Sequence, residues 1–94
     1  MTVLEIQHAV PDFDRWKRAF DADPMNRRES GVRRYQVYRR VDDPNLVTVV
    51  LEFDSESDAR SMLGRLQQLW AGPGGSVMRS PEAWILDVVE SHQI

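Results

Sequence analysis

Residues 32–53 read VRRYQVYRRVDDPNLVTVVLEF, and the topology can be built outward from them in both directions. Two runs rich in Val, Tyr and Thr, at 32–41 and 46–53, are typical of β-strands. The residues DDPN at 42–45 form a turn signal, because Pro fixes its own φ while Asp and Asn bond to nearby backbone. The stretch therefore predicts an antiparallel hairpin.

The pairing within this hairpin can be predicted from its side chains. A shift of one residue from the simplest four-residue loop sets Tyr35 opposite Leu51 and Val37 opposite Val49, which produces one apolar face and one matched polar face. A slip of one residue exchanges the two faces of a strand, so the shifted register is the one we predict. It requires a bulge or an odd-length loop near 41–45.

The segment before the hairpin predicts a strand and then a helix. Residues 2–10 are crowded with Val, Leu and Ile, and Pro11 closes the run, as is typical of a strand. Asp12 is a candidate N-cap, and the apolar residues after it recur at helical spacing: Phe13, Trp16, Ala19 and Phe20. Pro24 ends this helix or follows its end.

The segment after the hairpin repeats this order. Ser55 and Asp58 resemble a capping box, and one apolar stripe follows them: Ala59, Met62, Leu63, Leu66, Leu69 and Trp70. Gly64 inside this helix is either tolerated or required by close packing. The residues GPGG at 72–75 break the helix and begin a loop, or a lid over a cleft. A last strand is predicted at 83–89.

The predicted order is β-α-β-β-α-β, the ferredoxin-like arrangement of the α+β class, with a four-stranded antiparallel sheet and both helices on one face. The chain's 94 residues suffice for one domain, 1–94. The other face of the sheet would stay uncovered, and it mixes Glu5, Arg34 and Glu52 with Val and Leu. A solvated face of a monomer usually carries fewer apolar residues, so we expect a homodimer packed sheet to sheet.

Composition excludes several classes of function. The chain has no Cys, hence no disulfide, thiol nucleophile or thiolate metal site. A net charge of −3 is the wrong sign for a general nucleic-acid binder, and the Arg-Arg pairs at 27–28, 33–34 and 39–40 are expected to be solvated or ion-paired. No run approaches the roughly 18 apolar residues of a membrane span and no secretory signal opens the chain, so a cytoplasmic location is expected.

Five segments together resemble the dimeric α/β-barrel superfamily, within it the antibiotic-biosynthesis-monooxygenase-like and small cyclase-like domains. They are HAVPDFDRWKRAF at 8–20, Gly31, VYR at 37–39, DDPNLVTVVLEF at 42–53 and PE at 81–82. The resemblance spans nearly the whole chain and implies the ferredoxin-like fold and a homodimer. For function it implies a range of activities, among them cofactor-free monooxygenases, haem-degrading or haem-binding enzymes, lactone isomerases and polyketide cyclases.

The resemblance also implies where a site would lie, in the cleft between the helices and the sheet. By position it indicates His8, Trp16 and Trp70. If the chain is an enzyme, we expect His8 to be the proton-transfer residue, with Trp16, Tyr35 and Trp70 shaping an apolar pocket. His8 would be a general base or a haem ligand, since an imidazole is largely neutral at pH 7. The alternative is a core histidine bonded to a backbone carbonyl or to Asp12, with both tryptophans serving only as core.

The hypothesis is therefore a small-molecule-binding protein or cofactor-free enzyme, monooxygenase- or cyclase-like, that acts on a small aromatic compound. A non-catalytic dimeric ligand-binding or structural module is the alternative. Gln7-His8 stand where haem-degrading relatives place an Asn, and no second His ends the second helix, which argues against haem. His8 and His92 are the only histidines, so no metal site is expected. The expected partners are a small ligand and a second copy of the chain, with neither nucleic acid nor membrane.

Overall fold

The hairpin lies at one side of a four-stranded antiparallel sheet. The computed structural model describes residues 1–72 and 78–94. The elements are β1 (Thr2–Ala9), α1 (Phe13–Asp21), β2 (Val32–Arg39), β3 (Leu46–Phe53), α2 (Glu56–Ala71) and β4 (Arg79–Asp87). The strands are arranged in the order β2-β3-β1-β4. The predicted β-α-β-β-α-β order and the ferredoxin-like fold are confirmed.

The β2–β3 pairing has the predicted register. Tyr35 lies opposite Leu51, which brings apolar side chains of both strands to the same face. Beyond the paired strands, the Arg40 N–H donates to the Leu46 carbonyl at 3.0 Å. Residues 41–45 between these two form the odd-length loop that the register requires.

Both helices begin at the predicted caps. The Asp12 side chain accepts a hydrogen bond from the Arg15 N–H at 3.3 Å. The Ser55 hydroxyl accepts one from the Asp58 N–H at 3.1 Å. Each cap satisfies a backbone donor that the first helical turn leaves without a partner, so each helix start is determined locally.

β4 differs from its prediction. The strand covers Arg79–Asp87 rather than 83–89, and Pro81 lies inside it. Proline lacks the N–H that a ladder uses, but β4 is an edge strand, so its outer side needs no partner. The pairing of β4 with β1 shifts register between Gln7 and Ala9, near Ser80 with its φ of +50°. The predicted bounds of this strand, 83–89, are therefore wrong at both ends.

The core lies between the helices and one face of the sheet. Alternate residues of β1 and β3 point toward the helices, and both helices contribute to the same cluster. The buried apolar residues are Leu4, Ile6, Val10, Trp16, Val32, Val47, Val49, Leu51, Phe53, Ala59 and Met62. Both helices therefore cover the same face, which leaves the other face without a layer of its own.

That second face, which we call the open face, carries exposed aromatic side chains. Tyr38 of β2 and Trp84 of β4 are 48% and 43% exposed. Trp84 lies opposite Glu5 of β1, and Arg34 lies 3.6 Å from Glu52 across the β2–β3 pair. Glu5, Arg34 and Glu52 lie on this face as the sequence indicated, and the structure adds Trp84 to them. No helix in the described parts of the chain is long and apolar enough to cross a bilayer.

Most of the paired arginines lie at the surface, as predicted. Arg33 contacts Asp54 at 2.8 Å and Arg40 contacts Asp42 at 2.6 Å, with all four side chains more than half exposed. Exposed ion pairs of this kind contribute little to stability. Arg27 is an exception and belongs to the site described below.

Two glycines carry opposite predictions for stability. Gly31 has a φ of +98°, and a Cβ there would lie 2.7 Å from Oδ2 of Asp58. Gly31→Ala is expected to lower the free energy of unfolding by about 1–3 kcal/mol, since an L-residue is strained in this conformation. Gly64 lies on α2 with nothing within 4 Å of an added Cβ, so it is tolerated rather than required.

Gly64→Ala is the matched control for this change. It is expected to raise the free energy of unfolding by about 0.5–1 kcal/mol, because alanine loses less backbone entropy in a helix. Urea unfolding followed by circular dichroism measures both variants. A loss of stability at Gly64, or none at Gly31, would contradict the backbone geometry described here.

Candidate functional site

A cavity of about 370 Å³ lies between the two helices and the sheet. Its wall is formed by Ile6, His8, Trp16, Ala19, Phe20, Ala22, Pro24, Met25, Arg27, Val49, Leu51, Met62, Leu66, Leu69, Trp70 and Met78. Within this described wall, His8 and Arg27 are the only ionisable side chains. A dry cavity of about 150 Å³ is enough to bind benzene, so this one has room for fused rings.

His8 is placed in the wall by the alternation of β1. It shares the helix-covered face with Leu4 and Ile6, and it is 5% exposed. Burial lowers its pKa from 6.5 to about 4, and the Ala9 backbone opposes this shift only in part. The imidazole is therefore neutral at pH 7, because its charged form would have to leave water for an apolar wall.

The Nδ1 atom of His8 is buried and has no hydrogen-bond partner in the described ranges. Neither the Ala9 backbone nor Asp12 makes a hydrogen bond with this atom. A buried polar atom left in this state costs about 1–3 kcal/mol. Because Nδ1 has essentially no accessible surface, a ligand in the cavity would contact the imidazole at its other nitrogen, Nε2.

Trp16 continues the wall from His8 along α1. Its ring centroid lies 5.1 Å from that of His8 and 5.2 Å from that of Phe20, with the Trp16 and Phe20 rings stacked at 29°. Trp16 is buried in the core as well, so its structural and lining roles coincide. The series of three rings offers flat apolar surface to a planar ligand.

The other two predicted wall residues differ from each other. Trp70 of α2 contributes to the wall, whereas Tyr35 does not. Tyr35 is partly exposed and meets the edge of Phe20 at 5.3 Å between ring centroids. The guanidinium carbon of Arg27 lies 4.8 Å from the Tyr35 ring centroid, and Arg27 takes the place in the wall. Tyr35 therefore lies behind the wall, in contact with Phe20 and Arg27.

Sequence reasoning missed Arg27 as a wall residue. It belongs to an Arg-Arg pair like those at 33–34 and 39–40, and no periodicity marks it, because it lies in the connection after α1. The sequence signal that could have indicated its position is the pair Asp23 and Asn26 just before it. Asp and Asn tolerate left-handed backbone, which allows the chain to turn back tightly toward the cavity.

Two other predictions concern this region. No cluster of three or more residues able to hold a metal ion occurs in residues 1–72 or 78–94. The proposed loop or lid at 72–75 begins at Gly72, which caps α2, and its residues 73–75 lie outside the described residues.

No protein-family model matches the chain, and a comparison with curated proteins finds no match by sequence. Its fold is shared with several solved structures. SnoaB, a cofactor-independent oxygenase from Streptomyces nogalater, superimposes with a TM-score of 0.77 at 14% identity, over 96% of this chain and 94% of that one.

Two further structures have the same fold. Rv0793 from Mycobacterium tuberculosis gives a TM-score of 0.68 at 18% identity, over 99% of this chain and all of the other. MhuD, solved with two manganese protoporphyrin IX molecules per active site, gives 0.72 at 15% identity over 99% of each chain. These likenesses confirm the resemblance at the level of the fold, which this chain shares with all three proteins.

Proposed function

We propose that this protein binds a small hydroxylated aromatic compound of two or three fused rings in the cavity between α1, α2 and the sheet. One observation carries the proposal: a 370 Å³ cavity with an apolar wall is lined by the buried, neutral imidazole of His8. Binding sites for small molecules are mostly apolar, with a few polar groups that orient the ligand. His8 is that orienting group here.

The chemistry to which His8 is suited is removal of a proton from a hydroxyl group of the ligand. Burial disfavours an isolated imidazolium, as the lowered pKa shows. Transfer from a bound aromatic hydroxyl to Nε2 creates an aryloxide beside the imidazolium, and their attraction in an apolar cavity offsets the burial of charge. His8 is thus a base only toward a bound ligand.

An aryloxide is richer in electrons than the neutral phenol and is the form that reacts most readily with oxygen or closes a ring. This supports a cofactor-free oxygenase or cyclase-like enzyme, and the cofactor-independent oxygenase SnoaB shares the fold. The alternative, a non-catalytic ligand-binding module, uses the same hydrogen bond at His8 without proton transfer.

Binding to the cavity is testable with 2-naphthol and isothermal titration calorimetry. The wild-type protein is expected to bind it saturably. Leu66→Trp, which places an indole in the cavity, is expected to weaken binding at least about tenfold because the space is already filled. Gln68→Trp adds the same group on an exposed position of α2 and should leave binding unchanged. No saturable binding to the wild type would remove the proposal.

Oxygen uptake separates the enzyme from the binding module. In air-saturated buffer with a panel of naphthols and anthrols, the enzyme should consume oxygen, and His8→Phe should reduce the rate at least about a hundredfold, the range of a general base. Uptake that is the same in both proteins would remove His8 from the chemistry. If the naphthols and anthrols bind but none of them leads to oxygen uptake, the result would favour the non-catalytic ligand-binding module.

A haem fits these residues poorly. The buried neutral imidazole of His8 is a suitable iron ligand, but two propionates need cationic partners. Arg27 is the only cationic side chain in the described wall, so one of the two propionates would have no cationic partner there. We therefore derive no step through an iron centre.

The open face has a separate proposed role, which is to bind a second copy of the chain. Its exposed Tyr38 and Trp84 are flanked by charged residues of both signs, and this mixture suits a self-complementary interface. The ligand cavity lies on the opposite side of the sheet, so in such a dimer each cavity would still be formed by the residues of one chain.

A further inference from the structure

Arg27 is unlike the arginines of the β2 hairpin and of α2. Its side chain is 15% exposed, whereas the ion-paired Arg33, Arg40 and Arg60 are all more than half exposed. It also lies in the wall of the cavity, in which it is the only cationic side chain of the described chain. A cation is rarely kept this far from water unless something holds it there.

The guanidinium of Arg27 is held on three sides. Its carbon lies 4.0 Å from the ring centroid of Phe20 and 4.8 Å from that of Tyr35. Its Nη1 donates to the Phe20 carbonyl at 2.7 Å and lies 3.5 Å from Oδ1 of Asp23. These contacts fix the plane and the direction of the group before any ligand arrives.

The backbone of the α1–β2 connection holds the same residue in place. Asp23 and Asn26 have φ of +54° and +49°, in the left-handed region. Oδ1 of Asp23 accepts a hydrogen bond from the Arg27 N–H at 2.9 Å. Two residues in uncommon conformations thus turn the chain back so that Arg27 reaches the cavity.

One edge of the guanidinium is left available. Within the described ranges, Nε and Nη2 of Arg27 have no hydrogen-bond partner, whereas Nη1 donates to the Phe20 carbonyl. In those ranges, a polar side-chain atom that is both fully buried and without a partner occurs only at His8 Nδ1. Nε and Nη2 of Arg27 have no partner, so they are not fully buried and are accessible. The Nε–Nη2 edge presents two parallel donors, the arrangement that binds both oxygens of one carboxylate.

We infer that Arg27 is the anchor for a carboxylate and that the ligand is an aromatic carboxylic acid, with its rings in the cavity. This deepens the proposed function and rests on it, since the rings must first bind between the helices and the sheet. Asp23 offsets part of the charge, but its contact at 3.5 Å involves Nη1 and leaves the other edge open. Arg27 thereby distinguishes acids from neutral aromatic compounds of the same shape.

The test compares 2-naphthoate with 2-naphthamide at pH 7 by isothermal titration calorimetry. The two probes have nearly the same shape, and only the first is ionised. The wild-type protein is expected to bind naphthoate at least about tenfold more tightly, which corresponds to one charge-assisted pair. Arg27→Gln should abolish this preference, measured as the ratio of the two dissociation constants within the same variant. Arg28→Gln, an exposed neighbour outside the cavity wall, is the control and should retain the preference.

The outcomes separate the two proposals. Equal affinity of the wild type for both probes would overturn the role of Arg27 while leaving the cavity as a binding site. Failure of both probes to bind while 2-naphthol binds would overturn the inference about Arg27 alone, and failure of all three compounds would overturn both proposals. If circular dichroism shows that Arg27→Gln is unfolded, Arg27→Lys replaces it. Lysine keeps the positive charge but lacks the two parallel N–H donors of the guanidinium, so the preference for naphthoate should fall at least about threefold. An unchanged preference would overturn the inference.

Discussion

Lowering the pH from 7 to 4 is expected to destabilise the protein by up to about 3 kcal/mol through His8 alone. The folded state holds His8 neutral until its pKa of about 4, whereas the unfolded chain binds the proton at 6.5. Between these values the unfolded state carries more protons, so the stability present above the unfolded pKa is lost as the pH falls. Urea unfolding at half-unit steps between pH 7 and 4.5 measures the slope.

His8→Phe is the variant that isolates this effect, since it keeps a ring against Trp16 and removes the titrating group. It should flatten the pH dependence between 6.5 and 4.5 and leave the stability at pH 7 unchanged or higher, because no unpartnered Nδ1 is buried. His92→Gln, in the exposed C-terminal segment, should retain the wild-type slope. If His8→Phe has the wild-type slope, His8 titrates near its ordinary pKa and the cavity wall is not the apolar environment described above.

Trp84→Glu is expected to convert a dimer into a monomer. Light scattering of the wild-type protein at micromolar concentration should give twice the chain mass of 10.9 kDa. Loss of a central tryptophan from an interface costs about 2 kcal/mol or more, which weakens association at least about thirtyfold. The new carboxylate would also lie opposite Glu5 of β1, so like charges would repel within the interface.

Val41→Glu is the matched control for this substitution. Val41 is a fully exposed apolar residue in the loop between β2 and β3, away from the paired strands of the open face. Its replacement should leave the mass of the assembly unchanged. A wild-type protein with the mass of one chain would remove the proposed dimer, and a dimeric Trp84→Glu would move the interface away from Trp84.

Local rules account for most of the fold. The register of β2 and β3 follows from the need to bury one face, and Tyr35 opposite Leu51 is its direct result. Asp12 and Ser55 mark the helix starts because a cap acts within one turn. The start of β4 depends instead on the strand order, since Pro81 is acceptable only at the outer edge of a sheet.

The candidate site was predictable to a smaller extent. His8 lies on the cavity side because β1 alternates, and Trp16 and Trp70 follow from the apolar stripes of the helices. Arg27 lies in a connection without periodicity, and its position depends on the left-handed backbone that returns the chain to the cavity. That Arg27 rather than Tyr35 forms part of the wall depends on tertiary packing, which the spacing of residues in the sequence does not predict.

The sheet separates two surfaces that share no side chain. Successive residues of β1 point to opposite sides, so Ile6 and His8 belong to the ligand cavity while Glu5 belongs to the open face. Filling one cavity therefore does not require any group at the interface between copies to move. The two proposed binding events would be thermodynamically unlinked, with a Hill coefficient of about 1 for the ligand. Ligand choice and self-association can then change independently through substitutions on opposite sides of a single layer of strands.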